Sequence, residues 1–227
     1  MFPEIIPTAD GSNTLFNKEL NETYHSVKGA LTESLHVFVK EGFQYFISQK
    51  STLINNSLNV LEVGFGTGLN AILTFNEAQK NNLKISYDAL ENNPLPFDFV
   101  KKLDYDSSLS DYEKSAFNKM HLSNWNETID ITENFTLTKM NQSLSDFNTD
   151  SIYQVIYFDA FGPEKQPEMW TESVFKKMYD ALQPAGILVT YSAKGIVKNN
   201  MRNVGFVVSR LDGPPGKRHM VRGSKIN

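Results

Sequence analysis

The stretch Asn59-Val-Leu-Glu-Val-Gly-Phe-Gly-Thr-Gly-Leu-Asn70 decides how this 227-residue chain is read. A short apolar run carries one acidic residue, Glu62, then breaks into glycines at alternate positions and leads into a helix-forming segment. Gly64, Gly66 and Gly68 lack Cβ atoms, so the turn reaches positive φ at no steric cost and lets a ligand approach the backbone. The helix that follows offers unpaired N–H groups in its first turn. A dinucleotide fingerprint has G-x-G-x-x-G here, whereas in this chain the third glycine comes one residue early.

With Glu62 two residues before the first glycine, the run reads better as a loop for S-adenosylmethionine (SAM), the donor of methyltransferases. The flanking segments support that reading. Apolar residues at helical spacing predict a helix from Gly29 to Ile47, after a turn-rich residue 1–27 segment that suits a hairpin or an extended cover. Strands are predicted at Leu58–Val63, Leu83–Leu90, Phe135–Met140 and Ile152–Phe158, the last nearly continuous in apolar residues as in a central parallel strand. Helices are predicted at Leu69–Gln79, near Phe97–Leu103 behind Pro94 and Pro96, and at Thr171–Leu182 with Thr171 as cap. Residues 104–128 are polar and read as an insertion with no assigned role. Pro184-Ala-Gly186 turns into a strand at Ile187–Tyr191, followed by a helix near Lys194–Asn203. The last two strands, Phe206–Leu211 and near Arg218–Arg222, are too close for a crossover helix and must pair antiparallel. The expected fold is α/β and Rossmann-like, a seven-stranded and mostly parallel sheet with a reversed last strand and helices on both faces. Residues 1–50 are expected to pack as an extension on a core at 51–227.

Composition narrows the chemistry. Hydrophobic content of 40% and charged content of 21% fit an ordinary globular chain. No apolar stretch approaches the ~20 residues of a membrane span, and the N-terminus lacks the pattern of a signal peptide, so a cytoplasmic protein is expected. The chain has no cysteine, which removes Cys-ligated zinc, iron–sulfur and radical-SAM chemistry. It also removes the thiolate that adds to a pyrimidine before methylation at ring carbon. The acceptor is therefore expected to be nitrogen or oxygen. The histidines at 25, 36, 121 and 219 have no metal-ligand spacing, and no metal is expected. Residues 194–227 hold eight basic residues against one acidic, a balance of +7, while the first 193 carry −11. Such a segregated charge suits an anionic ligand docking at one end, or a solvated basic tail.

Ligands of open α/β sheets bind outside the carboxyl ends of the strands. Glu62 and the glycines end the first strand. Glu91 ends the second and has the position to accept both ribose hydroxyls. Asn141 and Gln142 end the third, where an amide oxygen would accept from the adenine amine. Asp159 ends the fourth, beside Phe161, in the arrangement that orients an acceptor amine. A carboxylate near an amine favours the ammonium form, so Asp159 must also receive or relay its proton.

Taken together, Glu62-Val-Gly-Phe-Gly-Thr-Gly-Leu-Asn70, Leu90-Glu-Asn-Asn-Pro-Leu95, Phe158-Asp-Ala-Phe-Gly-Pro-Glu-Lys-Gln-Pro-Glu-Met-Trp-Thr171 and Gly213-Pro-Pro-Gly-Lys-Arg-His-Met-Val-Arg-Gly223 resemble one family. It is the methyltransferase part of the bifunctional tRNA 5-methylaminomethyl-2-thiouridine biosynthesis proteins (MnmC-like) and its stand-alone relatives. Tyr24-His-Ser26, Gly29 and Glu33 look like that family's first segment. The resemblance implies methyl transfer from SAM to the exocyclic amine of 5-aminomethyl(-2-thio)uridine at the wobble position, in the anticodon loop of tRNA. It further implies Asp159 as acid/base or amine-orienting residue, and Lys165, Lys217 and Arg218 on the side that meets substrate RNA. The family's fused FAD-dependent oxidase part has no counterpart in these residues. Three rivals stay open on the residues alone: an NAD(P)-linked oxidoreductase, a methyltransferase of small-molecule amines, and a silent binding module.

Overall fold

The computed structural model describes residues 3–49, 56–105, 109–149 and 151–226. The 50/51 domain boundary and residues 106–108 of the insertion lie outside these. Three short strands, β1 (Glu4–Pro7), β2 (Asn13–Asn17) and β3 (Glu22–Thr23), form an antiparallel sheet of their own. A continuous helix, α1, then covers 30–48. Its ends, Ala30–Ser34 and Tyr45–Ser48, are α-helical, but the middle, Leu35–Gln44, is π-helical, a rare i→i+5 winding. Gly42 lies in that middle, where a Cβ would stand 2.9 Å from Val189 and 3.1 Å from Tyr157. The missing side chain lets α1 settle directly on the sheet.

The main sheet has eight strands among the described residues, one more than the sequence predicts. In chain order they are β4 (Ser57–Val63), β5 (Lys84–Leu90), β6 (Thr128–Thr132), β7 (Phe135–Met140), β8 (Tyr153–Phe158), β9 (Leu182–Thr190), β10 (Val207–Asp212) and β11 (His219–Ser224). In space they run β10-β11-β9-β8-β4-β5-β7-β6. The reversed last strand is present, with β11 antiparallel to both β9 and β10. The extra strand is β6, an edge strand antiparallel to β7 with a bulge between Asp130 and Thr132. Its Thr-Ile-Asp-Ile-Thr sequence alternates, with Ile131 buried and Ile129 packed against the core, but the strand is only five residues long and adjoins the polar insertion. Edge strands of this kind are commonly blunted by bulges and charge.

Alternation along the central strands divides the core in two. Val60, Val155 and Tyr157 face α1, α2 (Leu69–Lys80) and the helix α4 (Asp111–Leu122). Leu61, Val63, Ile156 and Phe158 face α5 (Glu172–Ala181) and α6 (Gly195–Asn203), with Trp170 and Phe175. Leu15 and Ala30 from the N-terminal segment belong to the first cluster. Cap residues set the helix starts. Ser110 and Glu113 form a capping box on α4, and Thr171 Oγ1 accepts from the Val174 N–H at the start of α5. A short helix, α3 (Phe97–Val100), runs into a 3-10 turn at Lys101–Leu103. Pro184-Ala-Gly186 forms an irregular excursion in β9, with Ala185 at φ 63°, and regular pairing resumes at Ile187.

Candidate functional site

β4 and β8 are neighbours at the centre, and the chain leaves them towards opposite sides of the sheet. That is the switch point where open α/β sheets bind ligands. Their ends are stitched together: the Asp159 N–H donates to Val63 O at 3.0 Å, and the Gly64 and Phe65 N–H groups donate to Leu90 O at 2.9 and 3.1 Å. A Cβ on Gly64, at φ +94°, would stand 2.8 Å from the Asp159 carbonyl oxygen. Gly68, at φ +71°, is the N-terminal cap of α2, and a Cβ there would meet His121 Nε2 at 2.7 Å. The insertion thus has a structural place. Its helix α4 supplies His121, and Trp125 follows; both rings pack on Phe65 of the loop.

A cavity of about 790 Å³ opens at this edge, lined among others by Gly64, Gly66, Asn70, Glu91, Asp159 and Phe161. Its size suits a nucleoside-sized ligand. Glu91 is anchored by two backbone donors: Gly66 N–H to Oε2 at 3.0 Å and Asn93 N–H to Oε1 at 2.9 Å. A carboxylate has about four acceptor sites, so roughly two remain for hydroxyl donors. Tyr24, from the N-terminal segment, covers the opposite side. Its ring meets Phe161 edge-on at 5.0 Å and lies 3.4 Å from where a Gly66 Cβ would be. Burial, and secondly the charge of Glu91, push the Tyr24 hydroxyl up to about 12, so it stays protonated.

Behind the cavity wall lies a chain of buried polar groups. Asn70 Nδ2 donates to Glu62 Oε1 and to Asp159 Oδ2, each at 2.9 Å. Tyr87 OH donates to Glu62 Oε2 at 2.9 Å. Burial holds the Glu62 carboxyl well above the usual carboxylate range. Asp159 is pushed up to about 7, by burial first and by the charge of Glu33 second; the Asn70 hydrogen bond and Lys217 pull it back. Glu62 is fully buried and does not line the cavity, so it reaches the site through Asn70. Sequence reading singled out Asp159 but gave Asn70 no role, although the eight-residue spacing from Glu62 across a strand–loop–helix turn is a signal that could have found it.

The other expected residues are distributed differently. Asn141 is exposed, with its own N–H donating to Asn126 Oδ1 at 2.9 Å, and the neighbouring Gln142 and Ser143 line the cavity instead. Gly68 shapes the helix start without lining the cavity. Lys165, Lys217 and Arg218 line a second cavity of about 560 Å³, which shares Tyr24, His25 and Tyr191 with the first. Lys217 is already engaged: it pairs with the buried Glu33 and sits 3.7 Å over the Tyr191 ring. Arg218 is exposed.

Much of the basic C-terminal segment is spent inside the fold. Arg222 bonds the Glu41 carboxylate at 3.3 Å and covers the Tyr45 ring at 3.2 Å. Lys225 donates to Tyr179 O and Leu182 O at the end of α5, where a cation also suits the helix dipole. Lys194 pairs with Glu164. Among the described residues no group of His, Cys, Asp and Glu is placed to hold a metal ion. No helix there is long and apolar enough to cross a membrane.

The residues fit SAM on the structure's own terms. The glycine turn leaves open the backbone approach that side chains would fill, and Glu91 keeps free acceptor sites beside its two backbone donors. Comparison with known proteins agrees. A bifunctional protein of tRNA 5-methylaminomethyl-2-thiouridine biosynthesis, MnmC, from Legionella pneumophila (strain Lens) is 29% identical over 230 residues, covering 91% of this chain and 34% of its own length. Its namesake from Leptospira interrogans (serovar copenhageni) is 27% identical over 218 residues, covering 93% and 34%. The chain spans about a third of the length of these curated relatives. The crystal structure of MNMC2 from Aquifex aeolicus superposes with a TM-score of 0.77 at 24% identity, over 98% of this chain and 70% of that one, and shares the fold. A family model described as S-adenosyl-L-methionine-dependent methyltransferase matches residues 108–226, which include Asp159 and the reversed strand, and the chain belongs to that family.

Proposed function

We propose that this methyltransferase acts on the exocyclic amine of 5-aminomethyl(-2-thio)uridine at the wobble position, in the anticodon loop of tRNA, yielding 5-methylaminomethyl(-2-thio)uridine. The observation that carries this reading is Asp159, a carboxyl raised to about 7 that lines the glycine-loop cavity together with Phe161. A chain without cysteine suits an amine acceptor, and the relatives from Legionella and Leptospira are named for 5-methylaminomethyl-2-thiouridine biosynthesis in tRNA. On this reading the protein works in the cytoplasm, with residues 1–50 as an extension on a core at 51–227.

Gly64, Gly66 and Glu91 would hold SAM, Glu91 through the ribose hydroxyls, with Gln142 and Ser143 on the adenine side. When bound, SAM supplies an electrophilic methyl group on a sulfonium sulfur. Asp159 attracts the acceptor as its ammonium and takes one proton, freeing the lone pair. The freed lone pair would then accept the methyl group that bound SAM supplies, giving a secondary ammonium as product. Phe161, Tyr24 and Tyr191 wall the acceptor side and limit water access.

Asp159 must be ionised to do this, so the sign is clear. Turnover should rise with pH through about 7 and fall about tenfold per unit below it. The direct test is mass spectrometry of nucleosides after incubating the protein with SAM and tRNA bearing 5-aminomethyl-2-thiouridine. A gain of one methyl group at that nucleoside is expected. No gain there, with methylation of free amines instead, would overturn the tRNA reading.

A further inference from the structure

We propose that Asn70 is a positioning residue: its amide locks one oxygen of Asp159 to the buried Glu62 and leaves the other to face the acceptor amine. This rests on the reading of Asp159 given above and adds how that carboxyl is held.

The argument starts from donors and acceptors. A side-chain amide has two N–H donors, and Asn70 Nδ2 is shared between Glu62 Oε1 and Asp159 Oδ2 at the same 2.9 Å. Among the described residues, no hydrogen bond is made to Asp159 Oδ1. The carboxyl is therefore oriented with Oδ2 turned inward to the protein. Asn70 is itself fixed. It lies in the first turn of α2, and its carbonyl accepts from Thr74 Oγ1 at 2.7 Å, which in turn meets Tyr157 OH at 3.2 Å. Glu62 is held from its far side by Tyr87 OH. The bridge joins the ends of β4 and β8 through the first turn of α2, so the glycine turn and the Asp159 carboxyl are tied to each other.

The bridge also bears on proton affinity. The titratable and charged groups around Asp159 are Glu62 and Tyr87 behind Asn70, with Glu33, Lys217 and Tyr191 on the other side. Of these neighbours, Glu33 raises Asp159 and Lys217 lowers it, while the Asn70 N–H favours the ionised form by direct hydrogen bonding. Loss of that donor should move Asp159 upward. A purely structural role for Asn70 would leave the titration where it is.

Asn70→Ala, Asn70→Asp and Asp159→Ala are the variants to compare. For N70A we expect kcat to fall about 100-fold, the cost of a misplaced reacting group, while SAM affinity by isothermal titration stays within about threefold of the parent. The 13C-carboxyl titration of Asp159 in the free protein should move to higher pH, and so should the acid limb of kcat. N70D keeps the volume but turns the donor into a third carboxyl, so it should move the titration further in the same direction; it carries the test if N70A does not fold. An unchanged Asp159 titration and unchanged kcat in these variants, with D159A inactive, would overturn the inference alone. Retained turnover in D159A would overturn the Asp159 reading, and this inference with it.

Discussion

The glycine-loop end and the basic C-terminal end both bury charge, but they treat it in opposite ways. At the C-terminal end the buried Arg222 is met by Glu41 and the Tyr45 ring, and the half-buried Lys225 and Lys217 by two carbonyl oxygens and by Glu33. At the glycine-loop end two carboxyls, Glu62 and Asp159, share one neutral amide, and among the described residues neither has an ion pair. Neutralised charge makes architecture, since a well-paired buried ion adds little net stability but costs a great deal when its partner is lost. Under-neutralised charge raises proton affinity and makes a group that can take a proton near neutral pH. Net charge along the sequence therefore does not mark the end where the raised carboxyl of Asp159 lies.

The sharpest way to break this comparison is Asp159→Ala. Turnover should fall about 10³-fold, within the range of a lost acid/base group, while SAM affinity measured calorimetrically stays within a few-fold. Near-normal turnover would place the chemistry elsewhere. Glu91→Ala should come next, weakening SAM binding by about 10- to 100-fold, because it removes a charged acceptor and frees the Gly66 and Asn93 N–H groups. Equal SAM affinity in that variant would remove Glu91 from the cofactor site.

Arg222→Ala tests the architectural side. Removing Arg222 leaves Glu41 to the exposed Lys40 at 3.5 Å and uncovers the Tyr45 ring, which should cost about 2 kcal/mol of stability, seen as a lower denaturant midpoint, with the Asp159 acid limb unmoved. The finest distinction separates two adjacent cations. Arg218→Ala should flatten the salt dependence of tRNA binding by about one unit of slope. Lys217→Met should leave that slope alone and shift the acid limb of turnover upward, since Lys217 helps hold Asp159 down and its loss leaves Glu33 uncompensated. Reversed outcomes would return Lys217 to the RNA surface.

Most of the fold was legible because each element carries its own local signal. The period-2 pattern of Phe135–Met140, the apolar run before Asp159 and the Thr171 cap all appear where they were expected. β6 was not, since its alternating Ile129 and Ile131 span only five residues beside the polar insertion. The π-helical middle of α1 has the same apolar spacing as an ordinary helix, and only its seat on Tyr157 and Val189 through Gly42 distinguishes it. Around the site, Glu91 and Asp159 could be placed because strand ends after a glycine turn face the ligand edge. Asn141 obeys the same rule, yet its side chain is exposed and its neighbours Gln142 and Ser143 line the cavity.

By itself the sequence determined the alternation of strands and helices, the glycine turn, the reversed last strand and the absence of any thiol. These depend on local propensity, spacing and composition, which a linear chain displays in full. Tertiary structure alone decided which charges are neutralised. Glu62, Asn70 and Asp159 are separated by up to 97 positions, and Glu33 and Lys217 by 184, so their pairing depends on how the strands order in the sheet. Burial then sets the energy of each carboxyl, because the cost of ionising it depends on the surroundings that folding brings together.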